Sequence, residues 1–186
     1  MAKRVGVLAL QGDFEAHAKA LARAGADAVE VRTAEELDGV QGLVIPGGES
    51  TTMLKLLDVT GLKDKLREFG STKPIFGTCA GAILVAKQVT NPVQESLGLM
   101  DIEVERNAYG RQLDSRIAHL QTETGDMEAV FIRAPIIRKV GGGAKVLATY
   151  NGDPVLVEEG RHMVATFHPE LSDDDRIHRL FLQKVE

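Results

Sequence analysis

Short apolar runs alternate with stretches of helical periodicity through the first half of the chain. The first run, VGVLAL at residues 5–10, ends at a Gln-Gly pair and is typical of a buried parallel strand. Apolar side chains then recur with helical spacing over residues 14–22, so we predict a helix with Asp13 at its N-cap and Gly25 as its stop. The chain therefore begins with a strand followed by a helix.

This strand-and-helix unit recurs. Strands are predicted at residues 28–32, 42–45 and 74–77, and a helical stretch follows each of the last two, the second covering residues 80–86. Repeated βα units imply helices on both faces of a parallel sheet. We predict an α/β fold, a three-layer α/β/α sandwich with a flavodoxin-like, mostly parallel sheet, and one domain over residues 1–186.

Beyond Lys87 strand-like segments follow one another and their pairing directions stay open. They cover residues 102–105, 129–133, 146–150, 154–158 and 162–167. Three glycines at residues 141–143 indicate a turn between two of them.

A last helix is predicted close to the C-terminus. Ile177, Leu180 and Phe181 form an apolar stripe, and acidic residues fill the first turn of the predicted helix. Ser172, with Asp175 three residues later, resembles a capping box, so we expect the helix to begin there.

Charge and composition exclude several classes of function. The chain has 22 basic and 27 acidic side chains, a net charge of −5, which argues against binding nucleic acid or an anionic membrane. The first apolar run is too short for a signal peptide or a membrane span, so we expect a cytoplasmic protein. Cys79 is the sole cysteine, which leaves it as either core packing or a reactive thiol.

Ligand sites of parallel sheets lie at the carboxyl ends of the strands, so the loops there are the candidates. These loops contain Gln11 and Gly12, residues 46–50, residues 77–81 and residues 168–170. The PGGES sequence of residues 46–50 lacks the spacing of a nucleotide-binding P-loop.

Residues 77–81, GTCAG, have the nucleophile-elbow pattern with cysteine in place of serine. A sharp strand-to-helix turn leaves no room for side chains two positions before and two after the nucleophile, which explains Gly77 and Gly81. The thiol of Cys79 would sit at a helix N-terminus, where thiolate is stabilised over thiol.

His168 and Glu170 supply a candidate base and the group that orients it. Because a residue before proline favours extended backbone, we expect both side chains to project to the same side of an extended chain. The imidazole would take the thiol proton and pass it to a leaving group. A pair of glycines, Gly47 and Gly48, could join the Ala80 amide in an oxyanion hole, or could form a plain turn before a helix capped by Ser50.

GTCAG at residues 77–81, PGGESTTM at 46–53 and FHPE at 167–170 together resemble the class I glutamine amidotransferases and their Cys-His-Glu triad. Further motifs extend this resemblance, end to end, to the glutaminase subunits of pyridoxal 5′-phosphate synthases. They are VLALQG at 7–12, LGLMDI at 97–102, ERNAYGRQ at 105–112, FIRAP at 131–135 and HPELSDD at 168–174.

The resemblance implies that Cys79 attacks the glutamine carboxamide, giving a γ-glutamyl thioester and ammonia, with His168 as base and Glu170 as its orienter. It also implies a substrate-binding and oxyanion set. This set comprises Gly47, Gly48, Glu49, Ala80, Arg106, Ile132 and Arg133. A guanidinium among them suits the α-carboxylate of glutamine.

The same resemblance implies a partner, the synthase subunit, which receives the ammonia in a multimeric complex. We expect no cofactor and no metal in this chain, and a glutaminase that is nearly silent until it docks. Gln11 and Gly12, with the Gly47–Gly48 loop, are our candidates for sensing docking. We interpret His17 as a histidine at the edge of a packed helix, and we assign nothing to His119, His162 and His178.

Three other functions stay open on the sequence alone. A glutaminase subunit could feed another synthase, such as one for histidine or aminobenzoate. A stress or chaperone protein of the intracellular-protease type also carries a cysteine on an elbow, although it leaves the late His-Pro-Glu unexplained. A catalytically dead binding subunit is the third.

Overall fold

Strands and helices alternate in the first half of the chain, and strands dominate the second half. The structure is a computed structural model that describes residues 2–107 and 115–186. Within these residues the strands are β1 (Arg4–Leu8), β2 (Asp27–Val31), β3 (Gly42–Ile45), β4 (Ile75–Thr78), β5 (Ala86–Thr90), β6 (Met100–Glu105), β7 (Ser115–Thr122), β8 (Gly125–Ile132), β9 (Ile136–Val140), β10 (Lys145–Tyr150), β11 (Asp153–Glu159) and β12 (His162–Ala165). The α-helices are α1 (Phe14–Arg23), α2 (Ala34–Asp38), α3 (Ser50–Thr60), α4 (Leu62–Gly70), α5 (Ala80–Val85) and α6 (Arg176–Leu182), and a 3-10 turn covers Pro169–Leu171.

The central sheet has seven strands in the order β10-β11-β12-β4-β3-β1-β2. Neighbouring strands from β12 to β2 run parallel, whereas β11 and β10 continue antiparallel. The mostly parallel sheet is therefore confirmed. Because β12, β4, β3 and β1 are neighbours, the loops that follow them meet at one edge of the sheet.

Helices cover both faces of this sheet. Val5 and Val7 of β1 pack with Leu21 of α1 and Phe181 of α6 on one face. Leu8 packs on the opposite face, where α2, α3, α4 and α5 lie. Burying a side chain of this size stabilises the fold by about 1.5–3 kcal/mol, so the two apolar layers hold the helices in place. The predicted three-layer α/β/α sandwich is confirmed.

Two small sheets extend the layers. Strands β5, β6 and β9 form one of them and bury Ile102 and Ile137 in the layer of α2 to α5. The β7-β8 hairpin forms the other and buries Leu120 and Phe131 on the side of α1 and α6. In the described part of the chain, no helix has both the length and the apolar character required to span a membrane.

The sequence did not indicate β5, β7 or β9. The apolar run after Cys79 predicts a helix through Ala86, but α5 ends at Val85 and Ala86 is already extended. Lys87 and Gln88 of β5 are exposed, so this strand lacks the alternation that would separate it from a loop.

The predicted capping box at the last helix is wrong. Helix α6 begins at Arg176, and no acidic residue lies in its first turn. The hydroxyl of Ser172 instead accepts a hydrogen bond from the Asp174 amide at 3.1 Å, and Asp174 Oδ1 accepts one from the Arg176 amide at 3.1 Å. Residues Pro169–Leu171 form a 3-10 turn instead, so the helix begins further toward the C-terminus.

The end of α3 provides a test of the backbone. Gly61 has φ 72° with nothing within 4 Å of an added Cβ, whereas Gly39 at the end of α2 has φ −86°. We expect Gly61→Ala to lower the free energy of unfolding by about 1 kcal/mol, because an L residue is strained in the left-handed region. Gly39→Ala should leave it unchanged or raise it by up to about 1 kcal/mol, because alanine adopts this backbone conformation without strain. Urea unfolding of both variants measures this, and equal effects would contradict it.

Candidate active site

The loops that follow β1, β3, β4 and β12 enclose a cleft at the carboxyl edge of the sheet. Its volume is about 290 Å³. The lining residues are Gly12, Asp13, Gly47, Gly48, Cys79, Ile132, Arg133 and His168. Seven of the residues singled out from the sequence therefore line one cleft. Glu49 and Ala80 directly follow lining residues in the chain, and Arg106 contacts Glu49.

Cys79 occupies the bend between β4 and α5. Its backbone has φ 52° and ψ −108°, a conformation that costs a non-glycine residue about 1–3 kcal/mol unless its surroundings fix it. The Cys79 amide donates to the Ala165 carbonyl of β12 at 2.8 Å, which fixes the bend to the sheet. The residue is 7% exposed and lines the cleft, so the sulfur is close to solvent rather than sealed in the core.

The glycines around Cys79 are required by close backbone contacts. A Cβ on Gly77 would collide with the Gly81 carbonyl oxygen, and a Cβ on Gly81 would collide with the Ile45 carbonyl oxygen of β3. Both contacts are with backbone, which cannot rotate away. The first turn of α5 is therefore pressed against β3 and β4, and Cys79 at its start lines the cleft.

His168 and Glu170 form a hydrogen-bonded pair beside Cys79. His168 Nδ1 lies 2.9 Å from Glu170 Oε2, and the His168 amide donates to the Val130 carbonyl at 2.8 Å. The expectation that this pair lies in an extended chain is wrong. The backbone of His168 is close to extended, with φ −109° and ψ 86°, but the chain then enters the 3-10 turn. This turn folds the carboxylate back onto the imidazole that precedes it.

Electrostatics favour a charged imidazole at this site. Burial lowers the pKa of His168, but hydrogen bonds and charges from Cys79 and Glu170 outweigh burial and raise that pKa to about 10. His168 is therefore an imidazolium at neutral pH, beside the sulfur on one side and a buried carboxylate on the other. The Cys79 sulfur also lies 3.8 Å from the Ile132 carbonyl.

Glu49 caps α3, in place of the Ser50 cap considered from the sequence. Its Oε2 accepts from the Thr52 amide at 2.7 Å and from the Thr52 hydroxyl at 2.9 Å, and Arg106 Nη2 lies 3.3 Å from Oε1. Burial raises the pKa of Glu49, but hydrogen bonds from Thr52 and Thr51 outweigh it and lower the pKa overall. Ser50 instead lies inside the helix, and its hydroxyl donates to Gln94 Oε1 at 3.3 Å. Residues 108–112 of the ERNAYGRQ motif fall outside the described residues.

The loop after β1 touches the loop after β3. Gln11 Oε1 accepts from the Glu49 amide at 2.8 Å. Gly12 has φ 84°, and a Cβ there would overlap the Gly47 carbonyl oxygen. The two loops therefore cannot shift independently.

The sequence did not indicate a buried polar network that lies behind the His168–Glu170 pair. His17 is fully buried rather than at a helix edge, and it contacts Thr78 and His178, both also buried. One signal was available: His17 shares the i, i+3, i+4 face of α1 with Ala20 and Leu21, the other buried residues of that helix.

His162 has a structural role. Its Nδ1 accepts from the Ile75 amide at 3.1 Å and its Nε2 donates to the Gly70 carbonyl at 2.8 Å, which connects β12 to β4 and α4. No cluster of three or more metal-ligating side chains occurs in residues 2–107 and 115–186.

Solved structures share this architecture. A crystal structure described as a glutamine amidotransferase superposes with a TM-score of 0.91 at 48% sequence identity and covers 97% of both chains. The structure of PurLQS from Thermotoga maritima gives a TM-score of 0.71 at 17% identity, over 99% of this chain and 97% of that one. The second likeness shows the fold alone.

Sequence relatives cover the chain from end to end. A pyridoxal 5′-phosphate synthase subunit PdxT from Solibacter usitatus is 64% identical, over 98% of this chain and 100% of its own length. Relatives of the same name from Koribacter versatilis and Thermotoga maritima are 57% and 48% identical, over 98% of this chain and 95% and 100% of their own lengths. Residues 7–186 match the SNO glutamine amidotransferase family, and the chain belongs to that family.

Proposed function

We propose that this chain is the glutaminase subunit of a pyridoxal 5′-phosphate synthase, which hydrolyses L-glutamine to L-glutamate and supplies the ammonia to a synthase subunit. One observation carries the proposal: Cys79 on the elbow lines the same cleft as His168, and His168 Nδ1 is hydrogen-bonded to Glu170 Oε2 at 2.9 Å. The relatives named as pyridoxal 5′-phosphate synthase subunits, up to 64% identical, favour this synthase over one for histidine or aminobenzoate.

In the first half of the reaction, the Cys79 thiolate attacks the carboxamide carbon of glutamine. The carbon–nitrogen bond breaks, and the His168 imidazolium gives its proton to the departing nitrogen, which leaves as ammonia. The product on the enzyme is a γ-glutamyl thioester. Glu170 stabilises the imidazolium before the transfer and fixes its orientation throughout.

In the second half, water hydrolyses the thioester. Neutral His168 takes a proton from the water as its oxygen attacks the thioester carbon, and the carbon–sulfur bond breaks to release glutamate. Cys79 returns as thiolate and His168 as imidazolium. The reaction uses the thiol, imidazole and carboxylate of this chain and no cofactor.

Substrate contacts are proposed from the residues around the cleft. Gly47 and Gly48 would provide the glutamine-binding loop and, with the Ala80 amide, the oxyanion hole. Exposed Arg133 lines the cleft beside Ile132 and would bind the α-carboxylate. Glu49 and Arg106 already pair at 3.3 Å, so substrate would meet a preformed charge pair there.

We propose that docking of the synthase subunit is sensed by Gln11 and Gly12. Their contacts with Glu49 and Gly47 support this, because a partner that presses on the first loop displaces the glycine loop beside Cys79. We place this glutaminase in the cytoplasm, where a reduced thiol is maintained. Residues 1–186 act as one domain, since the apolar layers include side chains from Val5 to Val185.

Replacing the nucleophile tests the proposed reaction. Cys79→Ala should release no glutamate from glutamine with or without the pyridoxal 5′-phosphate synthase subunit, because no thioester can form. The wild-type chain should release glutamate from glutamine, and the synthase subunit should strongly increase this rate. The variant should still bind the synthase in sedimentation, which controls for folding. Glutamate release by the variant at more than a trace rate would contradict the proposal.

Removing the charge of Glu170 tests the ion pair. Glu170→Gln should lower the pKa of His168 from about 10, because the carboxylate that stabilises the imidazolium is lost. We expect kcat to fall by about 10³-fold or more, in line with triad carboxylates in other hydrolases. Titration of ¹⁵N-labelled histidine by NMR measures the pKa. An unchanged His168 pKa would rule out the proposed role of Glu170.

The docking loop is tested at Gly12. A Cβ on Gly47 would lie 2.8 Å from His168 Cε1 and would disturb the triad directly, so Gly12→Ala is the cleaner variant. It should reduce synthase-stimulated glutamate release by about tenfold or more, because its Cβ displaces the Gly47 carbonyl. Gly25→Ala is the matched control, since Gly25 also has positive φ, at 99°, but nothing within 4 Å. Equal rates for the two variants would refute a role of Gly12 in activation.

A further inference from the structure

Four buried polar side chains form a continuous network behind the cleft. His178 Nε2 lies 2.9 Å from His17 Nδ1, and His17 Nε2 lies 3.1 Å from the Thr78 hydroxyl. The same His17 Nε2 lies 3.5 Å from Glu170 Oε1. His17, His178 and Thr78 are 0% exposed, so each of these contacts is isolated from bulk solvent.

Glu170 divides its two oxygens between this network and the triad. Oε2 bonds to His168 at 2.9 Å, whereas Oε1 is buried and has no hydrogen-bond partner of ordinary length within the described residues. His17 Nε2 lies 3.5 Å from this second oxygen, while the hydrogen bond of Nε2 itself is with the Thr78 hydroxyl at 3.1 Å. A polar hydrogen on Nε2 therefore lies near Oε1 without a hydrogen bond of ordinary length. A buried carboxylate oxygen needs a donor, so the tautomer of His17 decides whether Oε1 is stabilised.

One arrangement of hydrogens satisfies the network best. With the proton of His17 on Nε2, this N–H faces the Thr78 hydroxyl and Glu170 Oε1, and His17 Nδ1 accepts from His178 Nε2. His178 Nδ1 is then a bare lone pair, which suits an atom that has no hydrogen-bond partner within residues 2–107 and 115–186.

The opposite arrangement is worse at both ends. If His17 carried its proton on Nδ1, a lone pair on Nε2 would face the negative Glu170 Oε1. His178 would then carry its own proton on Nδ1, a buried donor with no acceptor in the described part of the chain. Buried N–H groups without acceptors are rare in proteins.

Both histidines are held neutral. Burial, followed by the neighbouring His178 and His168, lowers the pKa of His17 well below its ordinary value. Burial likewise lowers the pKa of His178 to about 4. Each ring therefore carries one polar hydrogen, and each tautomer is fixed by its neighbour.

We propose that His17, with its tautomer set by His178, is a positioning residue of the Cys-His-Glu triad that hydrogen-bonds Thr78 through Nε2–H and places the positive end of that N–H beside Glu170 Oε1. The N–H dipole stabilises the negative charge on that oxygen and so favours the carboxylate orientation that keeps Oε2 on His168. His17 also contacts Thr78, the residue before Cys79, so one side chain helps to position both the nucleophile and the carboxylate. This inference rests on the proposed glutaminase function.

The tautomer is tested in the wild-type chain without any activity measurement. Two-bond ¹H–¹⁵N correlation spectra of histidine-labelled protein distinguish the two neutral tautomers. We expect His17 to be neutral with its proton on Nε2 throughout pH 6–8. A proton on Nδ1 would overturn the proposal whatever the variants do.

Two amide substitutions separate positioning from packing. The side-chain nitrogen of His17→Gln reaches the place of Nε2 and restores the donor, whereas that of His17→Asn replaces Nδ1 and leaves Glu170 Oε1 without one. In the presence of the synthase subunit, we expect kcat to fall about tenfold or more for His17→Asn, with KM within about twofold. His17→Gln should retain kcat within about threefold of wild type.

Leu21→Ala is the matched control for stability, because Leu21 is also buried on the same face of α1 but has no polar group to donate to Glu170. It should lower the melting temperature and leave kcat at 20 °C near that of the wild type. Equal kcat for His17→Asn and His17→Gln would overturn the positioning role. If the wild-type chain released no glutamate with the synthase, the proposed function itself would fail, a result distinct from either outcome.

Discussion

The parallel pairing of β4 with β12 is the constraint on which the site depends. It places Thr78 opposite Ala165, so that the Cys79 amide donates to the Ala165 carbonyl and His168 follows three residues later. Cys79 and His168 lie almost half the chain apart, and backbone pairing of the two strands brings them to one cleft. The strained bend at Cys79 is held by the same contact and by the glycines that let α5 press against β3.

Burial of charge is the second organising factor. Glu170 is 6% exposed, and a carboxylate in such a place is tolerated only with partners for its charge. His168 provides one partner, and the raised pKa of His168 is the reciprocal effect of the carboxylate and the sulfur on the imidazole. His17 lies on the other side. The polar groups behind the cleft therefore belong to the same electrostatic unit as the groups that line it.

Much of the first half of the fold could be predicted, because buried parallel strands give continuous apolar runs, and β3 was placed with its exact bounds. The elbow and the His-Pro-Glu pair were also visible as local patterns. What sequence could not supply were contacts between distant positions: His17 meets Thr78 and His178 across 61 and 161 residues, and no local pattern reports that. The helix start near Ser172 was misplaced because an intervening 3-10 turn used the same polar residues.

In the proposed reaction Cys79 attacks glutamine, and His168 makes the attack possible. Mass spectrometry of the chain treated with the glutamine analogue 6-diazo-5-oxo-norleucine, in the presence of the synthase subunit, tests this most directly. We expect one adduct per chain, located on Cys79 in the wild type and strongly reduced in His168→Ala. An adduct on another residue, or equal labelling of Cys79 in both proteins, would contradict it.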